Sequence, residues 1–245
     1  MPHWILNKLK LSGKDTSIVL KNHVVKDCLD QVHFDFNTIA KVPNDLENDM
    51  TSMMKDGLFL AILEETHYNQ KNFLSQKFCT LMSSNFDSFF DTKEKIDMKL
   101  ESIRQKYPDK RKWDEMISSG KKALNLFFRY GAITISDWCE LNWGSMKNAM
   151  ETTIISDSEI QFKTIWSPPI TIIDTLSNLY PHLKIIHEYA SDQPAFSCGK
   201  NEFENGKQTI EKIYKNCSKE AYKMYFTLWF DQKKPSKMSD KEIEM

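Results

Sequence analysis

The chain has 245 residues, 40% hydrophobic and 12% aromatic, with a formal net charge of −1. That is enough apolar material for one large or two small folded domains, and it excludes wholesale disorder. The near-neutral balance gives no global pull toward nucleic acid or an anionic membrane, and seven glycines are few for a Gly-rich nucleotide-binding architecture.

Residues 3–12 alternate Leu9 and Leu11 with Lys8 and Lys10, the period of a half-buried strand. Gly13 ends it, and Asp15 or Thr16 can cap a helix reaching about Leu29, with Ile18, Val19, Val25 and Leu29 inward. Residues 33–40 alternate again through Phe34 and Phe36, and Pro43 closes the segment as a second strand. From 46 to 130 the spacing changes to three and four, as in Leu58, Ile62 and Leu63, in Phe73, Phe78, Leu81 and Met82, in Ile96, Leu100 and Ile103, and in Leu124, Phe127 and Phe128. This predicts three to five helices, broken at Pro108.

Beyond Gly131, Ser136 can cap a helical turn carrying Trp138 and Leu141, with Gly144 as its stop. Residues 151–156 and 159–166 read as a hairpin. Ser167 can cap the next helix, with Pro168 at its first position, and Ile170, Ile173, Leu176 and Leu179 form the apolar stripe. A strand follows over 183–189. A second hairpin turns at Asn205-Gly206, and a docking helix spans 221–230. The tail from about Lys233 is charged.

The order strand–helix–strand, then strand–helix–strand, predicts an α+β fold: a ferredoxin-like βαββαβ antiparallel sheet with a large helical insertion between the second and third strands. The expected division is 1–47 with 131–214 as the sheet domain, 48–130 as the insertion, and 215–245 as a C-terminal helix and frayed tail. Helices on one face of the sheet would leave the other face free.

Two aromatic motifs stand out: Asp137-Trp138-Cys139-Glu140-Leu141-Asn142-Trp143-Gly144-Ser145, running on to Asn148, and Trp166-Ser167-Pro168-Pro169. Trp138, Asn142, Trp143, Asn148, Trp166 and Ser167 either line a pocket or complete the core, where asparagine commonly satisfies a buried indole N–H. The hairpin between the motifs should bring Trp143 and Trp166 together at the start of the helix after Pro168. The most basic stretch lies between Arg104 and Lys112. Its Arg104, Lys106, Lys110, Arg111 and Lys112 are either a solvated loop or contacts to a partner or phosphate.

The five cysteines, Cys28, Cys79, Cys139, Cys198 and Cys217, contain no CxxC pair, which suits reduced thiols in a cytoplasm. Cys139 or Cys198 with His187 could be imagined as nucleophile and base, but such a pair needs proximity and a lowered thiol pKa. The histidines make no HxxxH face, so no metal is expected. No apolar run approaches about 20 residues, so no membrane span is expected.

Met1-Pro2-His3-Trp4 with Asn7, Phe36-Asn37 before Pro43, the 137–148 motif, Trp166-Ser-Pro-Pro169 and Glu204-Asn-Gly206 occur in that order. Together they resemble the YubB-type ferredoxin-like family, proteins carried by plasmids and phages. The resemblance implies a ferredoxin-like fold, a mobile-element setting and a bacterial cytoplasm. It implies no activity, no cofactor and no iron–sulfur cluster, whose closely spaced cysteines are missing. The resulting expectation is a non-enzymatic interaction protein of a phage or plasmid, acting on a host or defence protein complex. The alternative is a nucleic-acid-binding module using the sheet, with Trp4, Lys8 and Lys10, and the basic segment.

Overall fold

The computed structural model describes residues 3–27, 30–68 and 93–230, with the side chains of 65–68 left aside. Two compact units are present, Met1–Val42 with Cys139–Met245, and Pro43–Trp138.

In the first unit, β1 (Trp4–Ser12) leads into α1 (Thr16–His23) and a two-stranded ribbon, β2 (Val24–Lys26) and β3 (Val32–Phe34). After the helical unit come β4 (Met150–Ser156), β5 (Glu159–Ile165), a helix over Ile170–Leu179, β6 (Lys184–Ser191), β7 (Gly199–Glu204), β8 (Lys207–Ile213) and a last helix over Lys219–Trp229. Six strands form one antiparallel sheet in the order β4-β5-β1-β6-β7-β8. Strands β1, β4, β5 and β6, with their two crossover connections, give the expected ferredoxin-like arrangement, and the β7–β8 hairpin widens the sheet. Its turn places Asn205 and Gly206 at φ 54° and 70°, the left-handed pair that an Asn-Gly hairpin turn requires.

The segment expected as a strand over 33–40 behaves differently. It contributes only Val32–Phe34, to the ribbon, and then turns through a short 3-10 helix at Phe36–Thr38. The Asp35 side chain accepts from the Asn37 amide and caps that turn. Phe34 and Phe36 still share one core with Phe162, at ring separations of 5.2 and 5.8 Å, so their alternation reports burial rather than a ladder. The second strand of the sheet is therefore β4. Helix α1 likewise stops at His23 as the chain enters the ribbon. It buries Val19 and Leu20, while Ile18 and Val25 stay exposed.

The helical unit lies between β3 and β4 in the chain, with α2 (Ser52–Tyr68), α3 (Lys93–Lys106), α4 (Lys110–Tyr130) and the start of α5 (Ile135–Trp143). The expected helical positions Phe73, Phe78, Leu81 and Met82 lie outside the described residues. Pro108 separates α3 from α4. Asp109 caps α4 by accepting from the Arg111 amide, and Gly131, at φ 72°, closes it. The core joins Leu58, Phe59 and Ile62 of α2 to Ile103 of α3 and Met116, Ala123, Leu124 and Phe127 of α4. Helices α2 and α4 touch backbone to backbone at Gly57 and Gly120.

The remaining helices are α6 (Ile170–Leu179) and α7 (Lys219–Trp229). Helix α6 packs on β6, β7 and β8. Helix α7 packs elsewhere, burying Ala221, Met224, Tyr225 and Leu228 with Leu6, Ala190, Ala195 and Cys198. Leu6 alternates with Ile5 and Asn7 along β1, so the face opposite Asn7 is not left free as expected. The C-terminal helix thus belongs to the sheet unit.

Candidate functional site

The first aromatic motif forms a clasp. Trp143 is 2% exposed, its indole Nε1 donates to the Ala40 carbonyl at 2.9 Å, and its ring meets Phe36 at 5.5 Å. Asn148 Oδ1 accepts from the Phe36 and Ala149 amides, both at 2.9 Å, and its Nδ2 donates to Asp35 Oδ1 at 2.6 Å. These bonds lock the turn after β3 against the entry to β4. Asn142 is half-buried beside them in sequence, and Trp138, in the helical unit, is buried.

The second motif meets the first at the start of α6, as its topology predicts. Ser167 Oγ donates to the Gly144 carbonyl at 2.6 Å, and a Cβ on Gly144 would come within 3.1 Å of the Ile170 amide nitrogen. Two details differ from expectation. Ser167 does not cap α6, because its hydroxyl is committed to Gly144 and Pro169 holds the N-cap position without a side-chain bond. Trp166 does not enter the core. It sits at φ 69°, its amide bonds the His3 carbonyl, and its ring is 51% exposed, edge-on to His3.

The imagined thiol chemistry finds no geometry here. Cys198 turns its thiol to the Phe196 carbonyl, while His187 turns Nε2 to Asn7 Oδ1 at 3.0 Å. Burial pushes the Cys139 and Cys198 thiols up to about 11 and the His187 imidazole down to about 3. A reactive thiolate needs the opposite shift. Among the described residues, no three His, Cys, Asp or Glu side chains gather as metal ligands, and no helix is long and apolar enough to cross a membrane.

The basic segment occupies the α3–α4 corner. Arg104, Lys110 and Lys112 are exposed, and Arg111 reaches Glu115 at 3.5 Å. Lys106 is committed inward, to Asp56 and Ser52, each at 2.6 Å. Asp56 is 3% exposed and also takes Lys99 at 2.7 Å and the Tyr107 hydroxyl at 3.1 Å. Burial alone would raise its pKa. The Lys106 and Lys99 ammonium groups outweigh that and hold it below the usual range. On the sheet, Lys8 pairs with Glu159, Lys10 with Glu188 at 2.8 Å, and Lys184 with Glu202 and Glu204 at 2.9 and 2.6 Å.

A cleft of about 600 Å³ runs between β3 and β4, lined by Gln31, His33, Asn148, Met150, Glu151 and Thr152 among others. Its floor is partly tied, since Thr152 Oγ1 accepts from the Phe34 amide. His33 Nε2 is held by Asp27 at 2.9 Å.

Among the described residues, a conspicuous exposed apolar row runs along α7 to Phe230 at its C-cap. Tyr222, Phe226 and Phe230 recur every fourth residue, one turn apart, and are 41%, 53% and 68% exposed. Tyr222 stacks on Phe226 at 6.4 Å, and Phe226 leans on Phe230 at 5.6 Å. Lys219 and Lys223 lie along the same helix, both exposed. The sequence marks this helix as docking through Tyr225, Phe226, Leu228 and Trp229. The structure buries Tyr225 and Leu228 but turns Phe226 outward.

Residues 141–229 match the family model described as a ferredoxin-like domain in Api92-like protein. That span holds β4 to β8, α6 and α7, while the central strand β1 comes from outside it. The match is to an Api92-like domain and not to the YubB-type family that the motifs suggested. No curated protein matches the chain. The crystal structure of the protein api92 from Yersinia pseudotuberculosis is similar over 88% of this chain and 99% of that one, at 8% identity and a TM-score of 0.35.

Proposed function

We propose that the chain is a non-enzymatic interaction protein that binds a protein partner through the outward face of α7. The observation that carries this is the row of half-exposed rings, Tyr222, Phe226 and Phe230, on a helix whose opposite side is anchored in the core. Contiguous exposed aromatic surface marks interaction sites, and aromatic side chains dominate the energetics of such sites. The anchored side makes the row rigid, so little ordering opposes binding. A host or defence protein, with a mobile-element origin for this chain, is part of the proposal and is expected from the sequence motifs alone. Neutralisation of Lys8 and Lys10 by Glu159 and Glu188 weighs against the nucleic-acid reading.

The test compares capture from bacterial lysate by the tagged chain and by a Tyr222→Ser, Phe226→Ser, Phe230→Ser variant with an unchanged circular dichroism spectrum. A stoichiometric protein recovered by the first and lost by the second supports the proposal. No such protein, or equal recovery by both, overturns it. Tight binding of single-stranded or duplex oligonucleotides at low salt, read by fluorescence anisotropy, would favour the nucleic-acid reading instead.

A further inference from the structure

The six-stranded sheet ends differently at its two edges. At the β4 edge, the side chains of Thr152 and Asn148 accept from the Phe34 and Phe36 amides, so the ribbon and its turn occupy that side. At the other edge β8 is the terminal strand, and all seven of its residues are exposed. The backbone there has a definite pattern. Tyr214, directly after β8, donates its amide to the Cys198 carbonyl at 3.0 Å. Bonded and non-bonded pairs alternate along an antiparallel ladder. Counting back through the register, Lys212 and Ile210 bond toward Lys200 and Glu202, while Ile213 and Glu211 turn both N–H and C=O away from β7. Donors and acceptors thus repeat along the edge at every second residue. The register shift between Glu202 and Phe203 breaks the pattern toward the hairpin turn and confines it to Ile210–Ile213.

The side chains of this window add a charge preference. Lys212 lies directly opposite Lys200, and like charges facing each other across strands are unfavourable. Lys200 is joined to Glu202 at 2.6 Å. Lys212 instead lies over the Tyr214 ring, 5.3 Å from its centroid, and among the described residues no carboxylate pairs with it. Ile210 shares the face of Lys212 and Ile213 projects to the other, and both are well exposed.

We propose that Ile210–Ile213 is a strand-addition site, pairing antiparallel with an extended segment of a partner protein that sets an acidic side chain opposite Lys212 and apolar side chains opposite Ile210 and Ile213. Only an extended backbone matches donors and acceptors that alternate at this spacing, because a helix spends its own on itself. The acidic residue offsets the Lys200–Lys212 opposition, and the apolar residues cover the two isoleucines. Antiparallel pairing continues the arrangement of every other strand in the sheet. A second copy of β8 fits poorly, since registers centred on Glu211 or on Lys212 oppose like charges. The site is separate from the α7 row.

The test pans a phage-displayed library of random octapeptides against the immobilised full chain, then titrates the enriched sequences as synthetic peptides. The expected peptides alternate β-branched or aromatic residues with polar ones and carry Asp or Glu. On binding, hydrogen exchange read by NMR should slow at the Glu211 and Ile213 amides. Ile213→Pro removes one outward N–H that β7 does not use, and should weaken binding about tenfold, the loss of one backbone hydrogen bond, with an unchanged circular dichroism spectrum. Lys212→Glu keeps every backbone group and should turn the preference from acidic to basic peptides. No enriched peptide, protection confined to another segment such as α7, or full affinity in folded Ile213→Pro overturns the proposal. An unchanged charge preference in Lys212→Glu also overturns it, and this variant decides the matter should the proline variant unfold.

Discussion

Replacing Gly120 with alanine tests the helical unit, because two effects of opposite sign act on it. A mid-helix glycine normally gains about 1 kcal/mol on change to alanine. Here a Cβ on Gly120 would fall onto the Gly57 carbonyl group and close to the Leu58 amide nitrogen. The reciprocal Cβ on Gly57 would lie 3.0 Å from the Gly120 Cα, and closer still to the Met116 carbonyl oxygen. Ordinary carbon contacts are about 3.5–4.0 Å, so the helices must part by on the order of 1 Å. A gap of that size forfeits about a quarter to a half of each contact's attraction along Leu58, Ile62, Met116, Ala123 and Leu124. The neighbouring atoms are backbone, so no rotamer change relieves the overlap. Overpacking of this kind costs about 3 kcal/mol, and about 2 kcal/mol remains after the propensity gain. Thermal melts followed at 222 nm should therefore show a fall of about 4–8 °C. Ser118→Ala, on the exposed side of the same helix, is the control and should leave the melting temperature level or slightly raised. A rise for Gly120→Ala would refute the close crossing.

Trp143→Ala should cost about 3–5 kcal/mol and Trp166→Ala within about 1 kcal/mol, because only the first ring is buried; denaturant titration of the two variants checks the contrast. Cys139 and Cys198, with thiols pushed up to about 11, should resist a thiol reagent at neutral pH until the protein is unfolded, whereas exposed Cys217 should react in the native state; mass spectrometry of labelled peptides distinguishes them. Asp56 is held below the usual carboxylate range, so it favours folding above the unfolded value of about 4, and that contribution is lost as pH falls through the lower folded value. Melting temperatures from pH 6 down to pH 2 should decline below about pH 4, less so in Asp56→Asn, and parallel curves would refute the assignment.

The parts of the fold legible in sequence are those decided locally. The hairpin over 150–165 and the α6 stripe each declare a period, and the β7–β8 turn has its Asn-Gly pair. The segment 33–40 misleads because alternation shows only that Phe34 and Phe36 share a direction. The Asp35 cap and the Asn148 clasp convert it to a turn, and Asn148 lies more than a hundred residues away in the chain. The Gly57–Gly120 contact was equally hidden, since a glycine in a helical pattern ordinarily reads as a weak point. Ser167 has the composition of a cap, yet the nearby Gly144 carbonyl takes its hydroxyl.

The candidate surfaces depend still more on tertiary placement. A run such as Tyr222 to Phe230 is apolar on nearly every side, and its periodicity cannot say which stripe meets the sheet. Ala221 and Met224 lie against Leu6 and Ala190, and this leaves Tyr222, Phe226 and Phe230 outside. The buried bonds of Asn7 to Thr164 and His187 follow the same logic in reverse. Asn7 shares the parity of Leu9 and could be read as inward from sequence alone. Its partners Thr164 and His187 come from two other strands, and only the register of β1 with β5 and β6 brings them together. One sheet thus needs two different kinds of information. Alternation fixes which residues are buried, while long-range register decides whether a buried polar group finds its partner.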